Sequence, residues 1–247
     1  MIFFRRKKKA TSPSAGYSVL GTDIHSHLLP GIDDGSPDIE TSVQLITGME
    51  RLGYKKLITT PHVMWDVYKN TRHIILEKLQ EVKDRLANER VDIEIHAAAE
   101  YFIDDHLGEL VERKEPLLCF GNNLVLVEFS MVSQPFEWKK TLFEMQIQGY
   151  QPVIAHPERY AYLDRNKNFY DELKSAGYLF QLNMLSLSGQ YGNSVTELAR
   201  YLTKKGYYDL IGTDLHHVRH LEALKNPSVL SSLQQLLDSG KILNPSL

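Results

Sequence analysis

The sequence predicts a single-domain α/β fold in which helices cover a parallel sheet, and three observations predict it. Seven short apolar runs alternate along the chain with longer stretches of helical spacing. The runs are nearly continuous in apolar residues, as strands buried on both faces are. The 247 residues, 43% of them hydrophobic, suffice for one filled core of barrel size, and no repeat or low-complexity stretch after residue 16 marks a second domain. Periodicity leaves two architectures open, a closed barrel and an open doubly wound sheet. They differ in where polar groups gather: a barrel presents them at the ends of many strands, an open sheet at one switch point.

The first run, residues 18–25, leads into Asp23-Ile24-His25-Ser26-His27. Positions i and i+2 of a strand share a face, so His25 and His27 form a ready chelate. A helix follows on the spacing Ile39, Val43, Ile46, Met49, Leu52, with Ser36-Pro37 as cap and first-turn pair and Gly53 as stop. Run two, residues 56–60, reaches His62, and the next helix is spaced Ile75, Leu79, Val82, Leu86. Runs three and four, residues 92–99 and 124–129, bring up Glu100 and Glu128; a carboxylate after an apolar run is costly to bury unless it is paired or holds a cation. Run five, residues 152–156, ends in His156-Pro157-Glu158-Arg159. Run six, residues 178–183, ends in no such group, and run seven, residues 209–212, precedes Asp214 and His216. Alone, each has an ordinary reading as a solvated or ion-paired strand end. Together they require six coincidences, which favours the barrel with a metal centre at one end.

The eight residues offer nitrogen and oxygen donors and no thiolate, a set suited to Mn, Fe or Zn more than to Ca or Mg. They suffice for two or three ions. Three divalent ions would exceed the charge of three carboxylates, and the surplus calls for an anion, phosphate being the obvious candidate. With Lys+Arg 28 against Asp+Glu 31, no electrostatic footprint for nucleic acid is present. The lone Cys119 excludes a disulfide scaffold and points to a reducing, cytoplasmic compartment. Thiol-based dephosphorylation needs an arginine six positions after the cysteine, where Val125 stands. No run is long enough to cross a bilayer. The opening MIFFRRKKKA has no signal-peptide core; its five basic residues, 5–9, take the formal charge of the remainder from −3 to −8. Residues 1–16 therefore read as a flexible basic tail before a domain of residues 17–247, with weak contact to an anionic membrane surface as the alternative to a solvated tail.

The stretches DIHSHLLPGIDDGS, ITTPHV, AAAEYFID, LVEFS, IAHPERY and GTDLHH, spread over residues 23–217, resemble the polymerase-and-histidinol-phosphatase (PHP) superfamily, in particular its metal-dependent bacterial protein-tyrosine phosphatases from capsule and exopolysaccharide clusters. The resemblance implies a distorted (β/α)7 barrel and a multinuclear centre usually activated by manganese. It carries the ligand role to His25, His27, His62, Glu100, Glu128, His156, Asp214 and His216, and phosphate binding to Arg159. The family's further arginine has Arg219 as its nearest counterpart, at a spacing that does not match; the ordinary reading is a solvated residue at a helix start. Asp33, with Asp34 beside it in a Gly-bounded loop, would orient a ligand histidine, move a proton, or serve the turn. Metal-activated hydroxide would attack phosphorus directly, with a tyrosine leaving group of pKa about 10. The implied partner is an autophosphorylated bacterial tyrosine kinase controlling polysaccharide export. Competing readings are a small-molecule phosphoesterase of the histidinol-phosphatase kind and a non-catalytic metal-stabilised binding module. Trp65, Tyr68, Tyr101, Phe102, Phe129, Phe136, Trp138, Tyr160 and Tyr162 lie just past the ligands, as walls for a phosphotyrosine or as core. His73, His96, His106, His217 and His220 read as structural or surface residues.

Overall fold

Parallel strands joined by helical crossovers curl into a seven-unit ring. The computed structural model describes residues 13–247; the basic run at residues 5–9 lies outside the described residues. The strands are β1 (Thr22–Asp23), β2 (Lys56–Thr59), β3 (His62–Val63), β4 (Glu94–Ala97), β5 (Glu100–Phe102), β6 (Leu124–Glu128), β7 (Gln151–Ile154), β8 (Leu179–Asn183) and β9 (Leu210–Gly212). The helices are α1 (Pro13–Leu20), α2 (Ile39–Leu52), α3 (Arg72–Glu89), α4 (Asp105–Glu112), α5 (Trp138–Ile147), α6 (Asn168–Ser175), α7 (Asn193–Lys205), α8 (Val218–Leu224) and α9 (Pro227–Leu237).

The pairings run β1-β2-β4 and β3-β5-β6-β7-β8-β9. β2 and β3 form one unit broken at Thr60-Pro61, where the proline has no N–H for the ladder. β4 and β5 form another, broken at Ala98-Ala99. Backbone bonds carry the pairing across the breaks, from Thr60 N to Ser26 O at 2.7 Å, Ala98 N to Thr59 O at 2.9 Å and Glu100 N to Pro61 O at 3.1 Å. The last unit closes on the first through a parallel Ser26–Leu215 bridge, with Asp214 N donating to His25 O at 2.8 Å and His27 N to Leu215 O at 2.9 Å. Closure selects the barrel over the open sheet.

Strand alternation separates two apolar layers. Val125 and Val127 face the helices, whereas Leu126 joins Ile24, Ile58, Ala98, Val153, Ala155 and Leu210 inside the ring. Continuing that inward phase by two residues takes Leu126 to Glu128 and Ala98 to Glu100, and by four takes Ile58 to His62 and Leu210 to Asp214. The carboxylates therefore stand on the roof of the inner core.

α2 and α3 bury Val43, Ile46, Met49 and Leu52, and Ile75, Leu79, Val82 and Leu86, the stripes expected from the sequence. Gly53 stops α2 at φ 104°. The N-cap is Asp38, which accepts from Thr41 N at 2.7 Å, and not Ser36, whose own N–H is bonded to His27 O. The first run also differs: residues 18–20 belong to α1, which begins at Pro13, inside the segment 1–16, and the strand is confined to Thr22–Asp23 after Gly21 at φ 73°. Burial of Tyr17 and Leu20 favours helix over the β-like composition there. No described helix is long and apolar enough to cross a membrane.

Candidate metal centre

The strand ends converge. His25 Nε2 lies 3.1 Å from Glu100 Oε2, 3.4 Å from Asp214 Oδ1 and 3.3 Å from His27 Nε2. His156 Nε2 lies 3.1 Å from Glu100 Oε1 and 3.5 Å from Glu128 Oε1. His62 Nδ1 is 3.2 Å from Glu100 Oε2 and 3.7 Å from Glu128 Oε2. His216 Nε2 and His62 Nε2 each stand 3.5 Å from Asp34 Oδ1. All eight sequence-predicted ligands are thus brought together. They fall into four overlapping groups: His27, Asp34, His62 and His216; His25, His27 and Glu100; His25, His156 and Asp214; and His62, Glu100 and Glu128.

Hydrogen bonds fix the direction of three rings. Gln181 Oε1 accepts from His156 N at 3.2 Å and its Nε2 donates to Leu182 O at 2.7 Å, which sets the amide orientation. The same Oε1 is 2.8 Å from His25 Nδ1, so that nitrogen carries the proton. His27 Nδ1–H donates to Asp33 Oδ2 at 2.8 Å, and His216 Nδ1–H to Asp214 O at 2.9 Å. In each case the Nε2 lone pair is left facing the cluster, as a metal-ligating histidine requires. Asp33 also accepts from Gly35 N at 3.0 Å and His62 N at 3.1 Å, so its oxygens are engaged in positioning.

Strand β8, the unit without a candidate ligand, contributes two supports that sequence reasoning missed. Besides Gln181, Asn183 Nδ2 donates to Asp214 Oδ2 at 2.8 Å. The alternation Gln181, Asn183 was the available signal, but neutral amides carry no charge signature. Two candidate ligands sit in left-handed backbone, His156 at φ 26° and Asp214 at φ 51°, a conformation that side-chain-bearing residues adopt at a cost and that clusters at functional sites. Gly212 is required by close approach: a Cβ there would meet His25 Cβ at 2.5 Å and Gln181 Nε2 at 2.8 Å.

Charge in the cluster is unevenly distributed. Burial works against ionising Glu100, but His25 and His62 outweigh it and hold the carboxyl well below the usual range. Burial, then Glu100, push Glu128 well above that range. Asp214 is held well below it: burial opposes the shift, and His25, His216 and Arg159 reverse it. Burial, then Arg159, depress His156 to about 4. Buried carboxyl groups crowded against buried imidazoles form a donor cluster whose uneven charge divalent cations relieve.

The donor set fits such ions. Two donors about 2.1 Å from one ion at a tetrahedral angle stand ~3.4 Å apart, and the contacts above span 3.1–3.7 Å. His156 Nδ1 is buried without a hydrogen-bond partner, a state that buried polar atoms normally avoid.

Arg159 reaches the rim, 25% exposed, with Nη1 2.6 Å from Asp214 Oδ2 and its guanidinium over the Tyr191 ring at 4.7 Å. Arg219 is exposed on α8 and makes no hydrogen bond or ion pair to the cluster among the described residues. Several aromatics proposed as walls are core instead. Tyr101, Phe129, Trp138 and Tyr160 are buried. Tyr101 OH accepts from Leu118 N, and Tyr160 OH bridges Phe129 N and Ala155 O. Tyr68 does border the cluster, stacked on His62 at 5.6 Å, while Trp65 stacks on His106. Of the remaining histidines, His220 packs edge-on against His216 at 5.9 Å and His217 caps α8. Cys119 is half-buried in a separate cavity with Lys56, Ile58 and His96.

A family model described as capsular polysaccharide synthesis, CpsB/CapC, matches residues 21–236. The chain is similar to the putative tyrosine-protein phosphatase CapC of Staphylococcus aureus, 28% identical over 229 residues that cover 90% of both proteins. It is likewise 28% identical to tyrosine-protein phosphatase YwqE of Bacillus subtilis over 197 residues, 80% of this chain and 78% of that protein. Among solved structures, it is similar to a chain from the crystal structures of YwqE from Bacillus subtilis and CpsB from Streptococcus pneumoniae, described as unique metal-dependent tyrosine phosphatases. The TM-score is 0.75 at 26% identity, covering 90% of this chain and 96% of that one. A histidinol phosphate phosphatase from Lactococcus lactis, complexed with zinc, L-histidinol and phosphate, shares the fold at TM-score 0.55 and 16% identity, covering 90% of this chain and 93% of that one.

Proposed function

Because the chain belongs to the capsular polysaccharide synthesis CpsB/CapC family, we propose that it is a metal-dependent protein-tyrosine phosphatase acting at the eight-ligand centre. Its substrate is phosphotyrosine on a bacterial tyrosine autokinase that regulates capsular or exopolysaccharide synthesis, and its compartment is the cytoplasm. The observation that carries this reading is the convergence of ligand groups from six strand ends beside the guanidinium of Arg159.

Divalent ions held by His25, His27, His62, Glu100, Glu128, His156, Asp214 and His216 would supply Lewis acidity toward phosphoryl oxygens and a nucleophile from water at neutral pH. The protein's own part is to hold the donors ready. Gln181, Asp33 and the Asp214 carbonyl fix His25, His27 and His216 with their Nε2 atoms inward. Arg159 gives Nη1 to Asp214, and its remaining N–H groups suit the equatorial oxygens of a phosphoryl group, where charge develops during transfer. Tyr191 beneath the guanidinium limits where that fork can point. A phenolate leaving group of pKa about 10 needs little protonation. Manganese is the proposed ion; iron and zinc suit the same donors.

The test compares a phosphotyrosine peptide with histidinol phosphate on metal-stripped and manganese-loaded protein. Faster turnover of the peptide, only with metal, is expected. Preference for histidinol phosphate would make the protein a small-molecule phosphoesterase, and full metal occupancy without turnover of either would make it a binding module.

A further inference from the structure

Beside the metal centre, α4, α5 and the intervening loop enclose a groove of about 870 Å³. Its lining includes Phe102 and Ser130, two residues beyond Glu100 and Glu128, and Phe102 is the register partner of Glu128 on the adjacent strand. The groove therefore adjoins the strands that carry Glu100 and Glu128 into the cluster. α4 lines it with Asp105 and Glu112, and the opposite side with Glu137 and Glu144. All four are exposed and have no basic partner within 4.0 Å among the described residues. Glu137 precedes α5 in left-handed backbone, φ 57°, and its side chain makes no cap. The basic lining consists of Lys114 and Lys140. Along the loop, Val132 is 85% and Phe136 93% exposed. Large apolar side chains on the rim of a concave charged surface mark a contact for another molecule.

An acidic wall repels a phosphate dianion, so this groove does not serve the phosphoryl group. It complements a cationic, partly apolar segment continuous with that group. We propose that the groove docks the peptide flanking the phosphotyrosine and selects flanks that carry lysine or arginine next to an apolar residue. The proposal rests on the phosphatase reading and specifies the substrate for it. The metal centre and Arg159 take the phosphoryl oxygens, while the groove reads the flank. Because the groove lies away from the reacting atoms, its charge affects KM and association rate more than kcat.

The test uses the full chain loaded with manganese and three substrates: phosphotyrosine peptides with Lys/Arg-rich or Glu-rich flanks, and a small aryl phosphate with no flank. At low ionic strength the basic peptide is expected to exceed the acidic one about tenfold in kcat/KM, mainly through KM, with the advantage shrinking as salt screens the groove. Glu137→Lys with Glu144→Lys brings that ratio toward one. Lys140→Glu raises it, a direction that misfolding does not produce. Equal kcat/KM for the two peptides on protein that turns over the aryl phosphate overturns the groove proposal alone. If the aryl phosphate is not hydrolysed, the phosphatase reading fails, and binding of a fluorescent unphosphorylated basic peptide then decides the groove. A Kd weakened by the two glutamate reversals supports it, and an unchanged Kd overturns it.

Discussion

Replacing Gln181 by leucine preserves side-chain volume and removes the acceptor that holds two candidate ligands. Gln181 is fully buried, and its Oε1 takes His25 Nδ1–H at 2.8 Å and the backbone N–H of the strained His156 at 3.2 Å. In the variant both donors lose their partner with no access to water. An orphaned buried donor costs about 1–3 kcal/mol, so the metal-free protein loses about 2–6 kcal/mol, a fall in Tm of about 4–24 °C for a chain of this size. His25 is also freed to rotate and exchange its ring proton between nitrogens. Loss of such an outer-sphere partner typically lowers metal affinity about 10- to 100-fold. Calorimetric unfolding of the metal-free protein reads the first effect, and manganese titration reads the second. Wild-type Tm and metal affinity in Gln181→Leu would refute the claim that β8 positions the ligands.

Cys119→Ser should retain wild-type phosphotyrosine hydrolysis, and alkylating the thiol should not inhibit, because the sulfur lies in a cavity separate from the metal centre; loss of turnover with the fold intact would implicate the thiol. Gly212→Ala forces a Cβ against His25 Cβ at 2.5 Å, and overpacking of this kind costs about 1–3 kcal/mol, visible in thermal unfolding; an unchanged Tm would contradict the close approach. Asp34, 54% exposed and held down to about 2, chiefly by its hydrogen bond with His216, is a ninth candidate ligand. Asp34→Ala should therefore lower metal affinity about tenfold without unfolding the protein, and undiminished affinity would exclude Asp34 from the coordination set.

The clustering of the candidate ligands was legible because strand period and chemistry coincide: each follows an apolar run, and the two i, i+2 pairs show as alternate residues. Their supports were not. Gln181 and Asn183 look like ordinary polar positions in a strand until closure of the ring sets them against His25 and Asp214. The helix at residues 18–20 was hidden because Val19 and Leu20 suit a strand equally well, and packing of Tyr17 and Leu20 into the core is a tertiary effect. The α2 cap moved from Ser36 to Asp38 because the turn after His27 engages the Ser36 N–H. The aromatics divided by backbone phase, which loop sequence does not disclose: Tyr101 and Phe129 turned into the core while Phe136 stayed in solvent.

Metal-dependent hydrolysis of phosphotyrosine at the converged strand ends is open to direct measurement. The measurement is phosphate release from a phosphotyrosine peptide by metal-stripped protein titrated with manganese. No release is expected without metal, and release should rise to a plateau at about two to three ions per chain, in line with the capacity of eight candidate ligands. Equal release with and without metal, or none at full metal occupancy, would contradict it.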